Sequence, residues 1–160
     1  MLTRTLVLIT AVALSLCSAE SSAASDSGRK LYQTECGACH VAYPPAFLAT
    51  DSWDALLQKL DSHFGDNAEL AVGDLASIKA YLDNNNYDQS GIKRRYGNRL
   101  DTPGTPLRVT STLFFKAVHE EVPERVVSEN QAVKTFARCE ACHSRAQQGS
   151  FDEDEVRIPR

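Results

Sequence analysis

After one continuous apolar run near its amino terminus, the chain spaces its hydrophobic residues as helices do, at every third or fourth position. The Leu6–Cys17 run follows Arg4 and precedes a stretch of small residues, an order typical of a secretory signal peptide. The run is shorter than the about 20 apolar residues that cross a bilayer. We therefore expect 1–24 to be a signal peptide, cleaved after Ala23 or Ala24, and the mature chain to be periplasmic without a transmembrane segment.

Two alternatives for this leader stay open. The apolar run would act as an amino-terminal anchor if it were retained. Cys17 would carry a lipid if the chain were a lipoprotein, although Leu16 is larger than the residue that this processing prefers before the cysteine.

A helix is predicted over 53–63, where apolar residues recur with helical spacing. The apolar side of this helix consists of Trp53, Leu56, Leu57, Leu60 and Phe64. Asp51 or Ser52 can cap the start of this helix, and Gly65 can end it. His63 then lies on or beside the apolar face, where a side chain can approach a buried group.

A second helix is predicted to begin at Asp74, as its cap, and to end at Asn84–Asn86, because asparagine tolerates the left-handed conformation that ends many helices. Its apolar positions are Leu75, Ile78, Tyr81 and Leu82. The following residues are polar, rich in Gly and Pro and without a clear period, so 89–108 is expected to be a surface linker.

The carboxyl-terminal part is predicted to form short helices over 112–117 and 132–143, followed by a tail. Phe151, Val156 and Ile158 suggest that this tail packs back onto the protein, whereas its acidic run at 152–155 is expected to be solvated.

The composition is that of an ordinary globular protein. The chain has 160 residues, of which 42% are hydrophobic and 24% charged, and its formal net charge is −4. An acidic balance argues against a general nucleic-acid binder. We expect a monomer that binds no nucleic acid.

The cysteines carry the strongest chemical signal. Four of the five lie in two pentapeptides, Cys36–His40 and Cys139–His143, and both read Cys-x-x-Cys-His. This is the attachment signature of c-type haem. On a helix the two cysteines and the histidine share one face, so both thiols can add to the vinyl groups of one porphyrin while the imidazole faces its iron. We expect two covalent haem c groups, bound through Cys36, Cys39, Cys139 and Cys142.

Three alternatives to haem fit the motifs less well. A Cys₄ zinc site usually separates its two halves by about 15–20 residues, far fewer than separate these motifs. A thioredoxin-like pair needs a βαβ pattern, which this sequence lacks. Two structural disulfides would use the same cysteines but would leave the following histidines unexplained.

The histidines predict the axial ligands of both irons. His40 and His143, inside the motifs, are the expected proximal ligands. The sole methionine is Met1, in the leader, so the remaining histidines, His63 and His119, are the simplest distal ligands. Proximity in sequence pairs His40 with His63 and His119 with His143. A crossed pairing, Lys or Tyr ligation, and an open iron position stay as alternatives.

The order of these features resembles the dihaem cytochrome c family of bacterial periplasmic proteins. The match rests on Trp53, His63-Phe64-Gly65, Ile78–Leu82, His119-Glu120-Glu121-Val122-Pro123, the second haem motif and Arg157-Ile158-Pro159. The resemblance implies a mainly α fold, with a class I cytochrome c-like amino-terminal haem domain (25–88) and a smaller, less regular carboxyl-terminal haem domain (109–160). It also implies bis-histidine irons and, as partners, a monohaem oxygen-binding c-type cytochrome or a membrane cytochrome b.

The function expected from these features is low-potential electron transfer, with no catalytic residues and no enzyme activity. Two imidazoles saturate each iron, and the lack of an axial thioether lowers the reduction potential. The alternative is a small dihaem enzyme, or a gas or redox sensor, with one open or exchangeable iron. The basic residues of the linker are either a solvated face or a docking patch or counter-charge for haem propionates; they are Lys93, Arg94, Arg95, Arg99 and Arg108.

Overall fold

The structure is a computed structural model, and it describes residues 26–159. The predicted signal peptide, with Cys17 and both cleavage sites, lies outside the described residues. Within them the fold is mainly helical and contains no named β-strand. No helix in this part of the chain is long and apolar enough to cross a membrane. The mainly α fold predicted from the sequence is therefore confirmed.

Six α-helices are joined by loops and short 3₁₀ turns in the described range. They are α1 (26–35), α2 (Thr50–Leu57), α3 (Val72–Asn85), α4 (Gly91–Tyr96), α5 (Leu113–Val118) and α6 (Glu124–Ser128).

The hydrophobic core forms where α1, α2 and α3 meet. Its buried members are Tyr32, Leu48, Trp53, Leu56, Ile78, Leu82 and Val109. The Trp53 indole N–H donates to the Pro45 carbonyl oxygen at 2.8 Å, so this large side chain is buried with its polar atom satisfied. Helices α1 and α3 approach closely at Gly28, where an added Cβ would lie 2.7 Å from the Ser77 carbonyl oxygen.

The helix predicted over 53–63 is wrong at both ends. Helix α2 begins after Ala49, and neither Asp51 nor Ser52 caps it. It ends at Leu57, and a 3₁₀ turn at Leu60–Ser62 follows. The apolar spacing continues to Phe64, but the Phe64 side chain is 48% exposed. Because little of the apolar face beyond Leu57 is buried, packing does not extend the helix to His63.

The helix predicted from Asp74 is present as α3, although its caps differ. Ala71 is the N-cap and Asp74 lies in the first turn. The helix ends at the asparagine run, but Asn86 is extended (φ −68°, ψ 179°) rather than left-handed. The buried Asn86 side chain donates to the carbonyl oxygens of Leu82 and Asp83, at 3.1 and 3.0 Å. Asparagine therefore ends this helix by hydrogen bonding, which replaces the missing helical partners of those carbonyls.

Both haem motifs lie outside α-helices, contrary to the prediction. Helix α1 stops at residue 35, and the Cys36 N–H makes its last helical bond, to Tyr32 at 3.0 Å. The second motif lies in a 3₁₀ turn at Cys139–Ala141, so no helix spans 132–143. Helix α6 was not predicted from the apolar pattern. Helix α5 agrees with the prediction over 112–117, and the Thr112 hydroxyl caps it by accepting from Phe115 N–H at 3.0 Å.

The predicted linker 89–108 is helical in part, since it contains α4 and a 3₁₀ turn at Gly97–Leu100. Ser90 caps α4 by accepting from Lys93 N–H at 3.2 Å. Residues on both sides of the linker pack onto one hydrophobic cluster, to which Val109 and Phe115 contribute from the carboxyl-terminal side. The domain limits stay a prediction.

The tail packs back onto the protein as expected. The Phe151 ring lies 5.2 Å from that of Phe47, and Arg157 N–H donates to the Cys142 carbonyl oxygen at 2.8 Å. Ile158 does not share in this packing, because it is 52% exposed. The acidic residues 152–154 are exposed, as predicted.

Candidate functional site

The structure brings the four histidines together in two facing pairs. The ring centres of His40 and His63 lie 6.3 Å apart, with 20° between the ring planes. The ring centres of His119 and His143 lie 6.1 Å apart, with 74° between the planes. These are the two pairs that proximity in the sequence suggests.

Both separations suit two imidazoles on opposite sides of one metal ion. With about 2 Å from a ligating nitrogen to a first-row metal and about 1.1 Å from that nitrogen to its ring centre, the two centres lie roughly 6.2 Å apart. Direct ring-to-ring packing would bring the centres closer, as it does for His119 and Phe115 at 4.0 Å. Each pair therefore leaves the room that a single iron needs.

A tight turn presents His63. The Asp66 N–H donates to the His63 carbonyl oxygen at 3.1 Å, and the two residues between them have positive φ, 53° at Phe64 and 107° at Gly65. Positive φ at both central positions is the pattern of a type I′ turn. Gly65 adopts it without steric cost, whereas a residue with a Cβ is strained there.

The second pair is held by α5 and by the carboxyl-terminal tail. His119 directly follows α5, and its N–H donates to the Phe115 carbonyl oxygen at 3.2 Å. His143 forms an isolated antiparallel bridge with Val156 of the tail. The tail thus fixes the backbone of the second motif, although it carries no predicted ligand itself.

Hydrogen bonds set the tautomer of one histidine in each pair. His40 Nδ1 lies 2.8 Å from the Val41 carbonyl oxygen, and His119 Nδ1 lies 3.0 Å from that of Phe115. A carbonyl only accepts, so Nδ1 carries the proton in both rings and Nε2 keeps the lone pair that a metal takes. The buried Nδ1 of His143 has no hydrogen-bond partner among the described residues. A polar group from outside the chain would satisfy this atom by a hydrogen bond.

Aromatic side chains line both sites. Tyr43 stacks on the His40 ring, with centres 5.1 Å apart, and its hydroxyl donates to the Ala137 carbonyl oxygen at 3.3 Å, close to the second motif. At the second site Phe115 stacks on His119, while Phe136 and Phe151 contact His119 and His143 at 5.9 and 5.2 Å.

Apolar surface next to the distal histidines fits a large flat cofactor. Phe64, beside His63, is 48% exposed, and Val118, beside His119, is 55% exposed. Exposed apolar residues at a polar site are typical of surface that a ligand covers. The exposed apolar surface and the spacing of each ring pair both fit a porphyrin.

Burial favours the neutral, ligating form of the histidines. It lowers the pKa of His63, with further lowering by the charges of His40 and Arg108 against an opposing effect of Asp66. Burial also lowers the pKa of His143, and His119 adds to this. A metal binds neutral imidazole, so a lowered pKa removes a competing proton.

The cysteines are placed for attachment rather than for zinc or disulfides. Cys36, Cys139 and Cys142 are half-buried and Cys39 is exposed, and none of the four is in a disulfide. Burial raises the pKa of Cys36 and of Cys139 to about 11, so both are thiols at neutral pH. Within residues 26–159 no three His, Cys, Asp or Glu side chains converge on a common metal site.

Sequence reasoning missed the aromatic contacts and the role of the basic linker at the first site. Tyr43 has no role in the sequence-based prediction, and Phe136 falls only within the helix predicted over 132–143, which does not form. Arg108, counted with the linker, lies over the Phe64 ring at 4.1 Å. The one sequence signal for such an aromatic contact was the position of Tyr43, three residues after His40.

Comparisons with known proteins show which chains this one resembles. A family described as dihaem cytochrome c matches residues 32–151. A diheme cytochrome c from Shewanella baltica OS155 is 36% identical, with a TM-score of 0.66, and the alignment covers 82% of this chain and 94% of that one. A diheme cytochrome c from Rhodobacter sphaeroides is 38% identical, with a TM-score of 0.65 and coverages of 76% and 95%. A comparison with curated proteins gave no match.

Proposed function

The chain belongs to the dihaem cytochrome c family, and we propose that it is a low-potential periplasmic electron carrier in which both haem irons have two histidine ligands. As a member of the family it binds two haem c groups covalently and functions in electron transfer. The iron of each haem supplies one-electron redox chemistry. The ligand set, the potential, the compartment and the partners are the parts that we propose.

In this proposal each haem has its own set of four residues. Cys36 and Cys39 hold the first haem by thioether bonds. Its iron takes His40 and His63. The second set is Cys139, Cys142, His143 and His119. The observation that carries the proposal is the separation of the ring centres, 6.3 Å in one pair and 6.1 Å in the other.

The four proposed histidine ligands favour electron transfer over catalysis. His63 and His119 occupy the positions at which a substrate or a gas would bind. The backbone carbonyls of Val41 and Phe115 hold the Nδ1 protons of His40 and His119, which keeps both rings in one tautomer during electron transfer. Two imidazoles without a thioether favour a potential below that of Met/His cytochromes.

The proposed location is inferred from the amino-terminal sequence, and the proposed partners from the family resemblance. The Leu6–Cys17 run supports export to the periplasm, where covalent attachment retains the haems. We infer a redox protein as partner, either a monohaem oxygen-binding c-type cytochrome or a membrane cytochrome b. Co-purification with such a cytochrome, and electron exchange with it in stopped-flow mixing, would test this part.

The ligand set is tested by the EPR spectrum of the ferric protein and by CO addition to the reduced protein. We expect two low-spin ferric haems and no CO binding. Replacing either distal ligand, in His63→Ala or His119→Ala, should turn one haem high-spin and reactive toward CO. A high-spin haem in the unmodified protein would refute bis-histidine ligation and favour an enzyme or sensor with an open iron.

A further inference from the structure

Arg108 is in contact with the turn that presents His63. Its guanidinium carbon lies 4.1 Å from the centre of the Phe64 ring. The Phe64 ring in turn packs edge-on against the His63 ring, with centres 4.8 Å apart and 71° between the planes. The order in space is therefore Arg108, Phe64, His63, and the first two lie close enough for a cation–π contact.

Phe64 needs an external restraint because its backbone is strained. Its φ of 53° lies in the left-handed region, which is strained for a residue with a Cβ. Within the turn, the bond from Asp66 N–H to the His63 carbonyl opposes this strain. The chain's own residues leave Phe64 48% exposed, so packing within the protein supplies only part of the restraint.

Arg108 is well anchored for that purpose. Its neighbours Leu107 and Val109 both pack on the hydrophobic cluster, and its carbonyl oxygen accepts from Ser111 N–H at 2.9 Å. Among the described residues its guanidinium makes no ion pair or hydrogen bond, and it lies over the Phe64 ring. Its charge also acts on the nearby Tyr43 and His63.

The other basic residues of the linker have different partners. Lys93 pairs with Asp101. Arg94 and Arg99 donate to backbone carbonyl oxygens at 2.8 and 3.3 Å. Arg95 lies over the Tyr96 ring at 5.5 Å. A common role as a docking patch would not require Arg108 alone to stack beside a predicted iron ligand.

We propose that Arg108 is a positioning residue for the first haem: by stacking on Phe64 it holds the strained turn in the conformation that directs His63 toward the iron. This inference rests on the proposed function, because it takes His63 to be a ligand. Lysine carries the charge but no planar group, so Arg108→Lys should keep the contact only in part.

The test uses four single variants of the haem-loaded protein and the double variant Arg108→Ala/Phe64→Leu. Arg108→Ala removes the stack and the charge, Arg108→Lys keeps the charge, and Phe64→Leu removes the ring but keeps the strained Cβ. Arg95→Ala is the matched control, since it removes an arginine of the same segment that also stacks on an aromatic ring. Haem content and circular dichroism establish that each variant folds.

The measurement is the rate of cyanide binding to the ferric protein, since cyanide would reach the first iron only after His63 leaves it. A contact of this kind is worth about 0.5–1 kcal/mol at an exposed site, so Arg108→Ala should speed cyanide binding about two- to fivefold. Phe64→Leu should give a similar increase, Arg108→Lys a smaller one, and Arg95→Ala no change. The double variant Arg108→Ala/Phe64→Leu should bind cyanide no faster than the faster single variant, within the experimental error, because both substitutions remove one contact.

Two outcomes overturn the proposal and one overturns its premise. If Arg108→Ala and Phe64→Leu both bind cyanide at the rate of the unmodified protein, the contact does not position His63. If Arg108→Ala alone accelerates binding, the charge acts instead of the stack. If His63→Ala leaves both haems low-spin and inert to CO, His63 is no ligand, and the proposed function fails independently of Arg108.

Discussion

The angle between the ring planes predicts that the two haems have different EPR spectra. Each axial imidazole raises the energy of the iron d orbital that its π system overlaps. Parallel rings raise the same orbital and split the pair strongly, whereas perpendicular rings raise both orbitals equally. A large splitting gives a rhombic low-spin signal with three resolved g values, and a small one gives a single broad feature at higher g.

The size of the difference follows from the two angles. Two equal ring contributions, each with twofold symmetry about the iron axis, combine as the cosine of the angle between the planes. The splitting is then about 0.94 of its maximum for the 20° of His40 and His63, and about 0.28 for the 74° of His119 and His143. A threefold difference is large enough to separate the two signal types.

Phe115 is the residue to change, because its ring stacks on that of His119 at 4.0 Å with 18° between the planes. Phe115→Leu removes this flat neighbour but keeps the bond from His119 Nδ1 to the carbonyl oxygen of residue 115. His119 should remain a ligand but turn more freely. In the ferric EPR spectrum we expect the high-g feature to broaden and move toward lower g, while the rhombic signal of the first haem stays unchanged.

The control is Phe114→Leu, which alters the neighbouring aromatic residue that contacts Phe47 rather than His119. It should leave both signals as they are. Two rhombic signals in the unmodified protein would refute the assignment of a near-perpendicular pair. The ring contacts imply that Phe115 affects only the second haem. A change in the rhombic signal of the first haem on Phe115→Leu would contradict this independence of the two sites.

Three further predictions concern stability, measured as the free energy of unfolding by denaturant titration. Ile78→Ala should lower it by about 2–5 kcal/mol, since this side chain is fully buried in the core; a loss below 1 kcal/mol would contradict that placement. Gly28→Ala should lower it by about 1–3 kcal/mol, because the new Cβ would lie 2.7 Å from a carbonyl oxygen. The control Gly73→Ala, with nothing within 4 Å, should leave it unchanged or slightly higher. Acidification below pH 6.5, the ordinary pKa of histidine, should lower the stability. The folded state depresses the pKa values of His63 and His143, so the unfolded state takes up more protons there; a flat profile from pH 6.5 to 5 would contradict this.

The chemistry of the chain was readable from local sequence. Covalent haem attachment needs two thiols and an imidazole within five residues, so the motifs at Cys36–His40 and Cys139–His143 are complete in themselves. The proposed distal ligands follow from counting, because the chain has only two other histidines and its methionine is residue 1. Helix α3 was also predictable, since its apolar positions repeat over its whole length and two of them, Ile78 and Leu82, are buried.

Local sequence was a poor guide where tertiary packing overrode the apolar pattern. The periodicity around Trp53 continues to Phe64, but α2 stops at Leu57 because the later apolar residues are not buried in the core. His63 is consequently presented by a tight turn with positive φ at Phe64 rather than by a helix face. Apolar periodicity cannot predict such a turn, because it reflects only neighbouring residues. The strain of the turn is offset by a contact with Arg108, which is 44 positions away in the sequence.

Ligand identity was thus present in the residue types, whereas ligand geometry depended on the fold. The angles of 20° and 74° between the histidine rings arise from separate neighbours, Tyr43 at one site and Phe115 at the other, and from the carbonyl oxygens that hold Nδ1. Residue composition and spacing determine which atoms can bind iron, because that depends on covalent chemistry. The orientation of those atoms depends on packing between segments far apart in the chain, and only the folded protein brings those segments together.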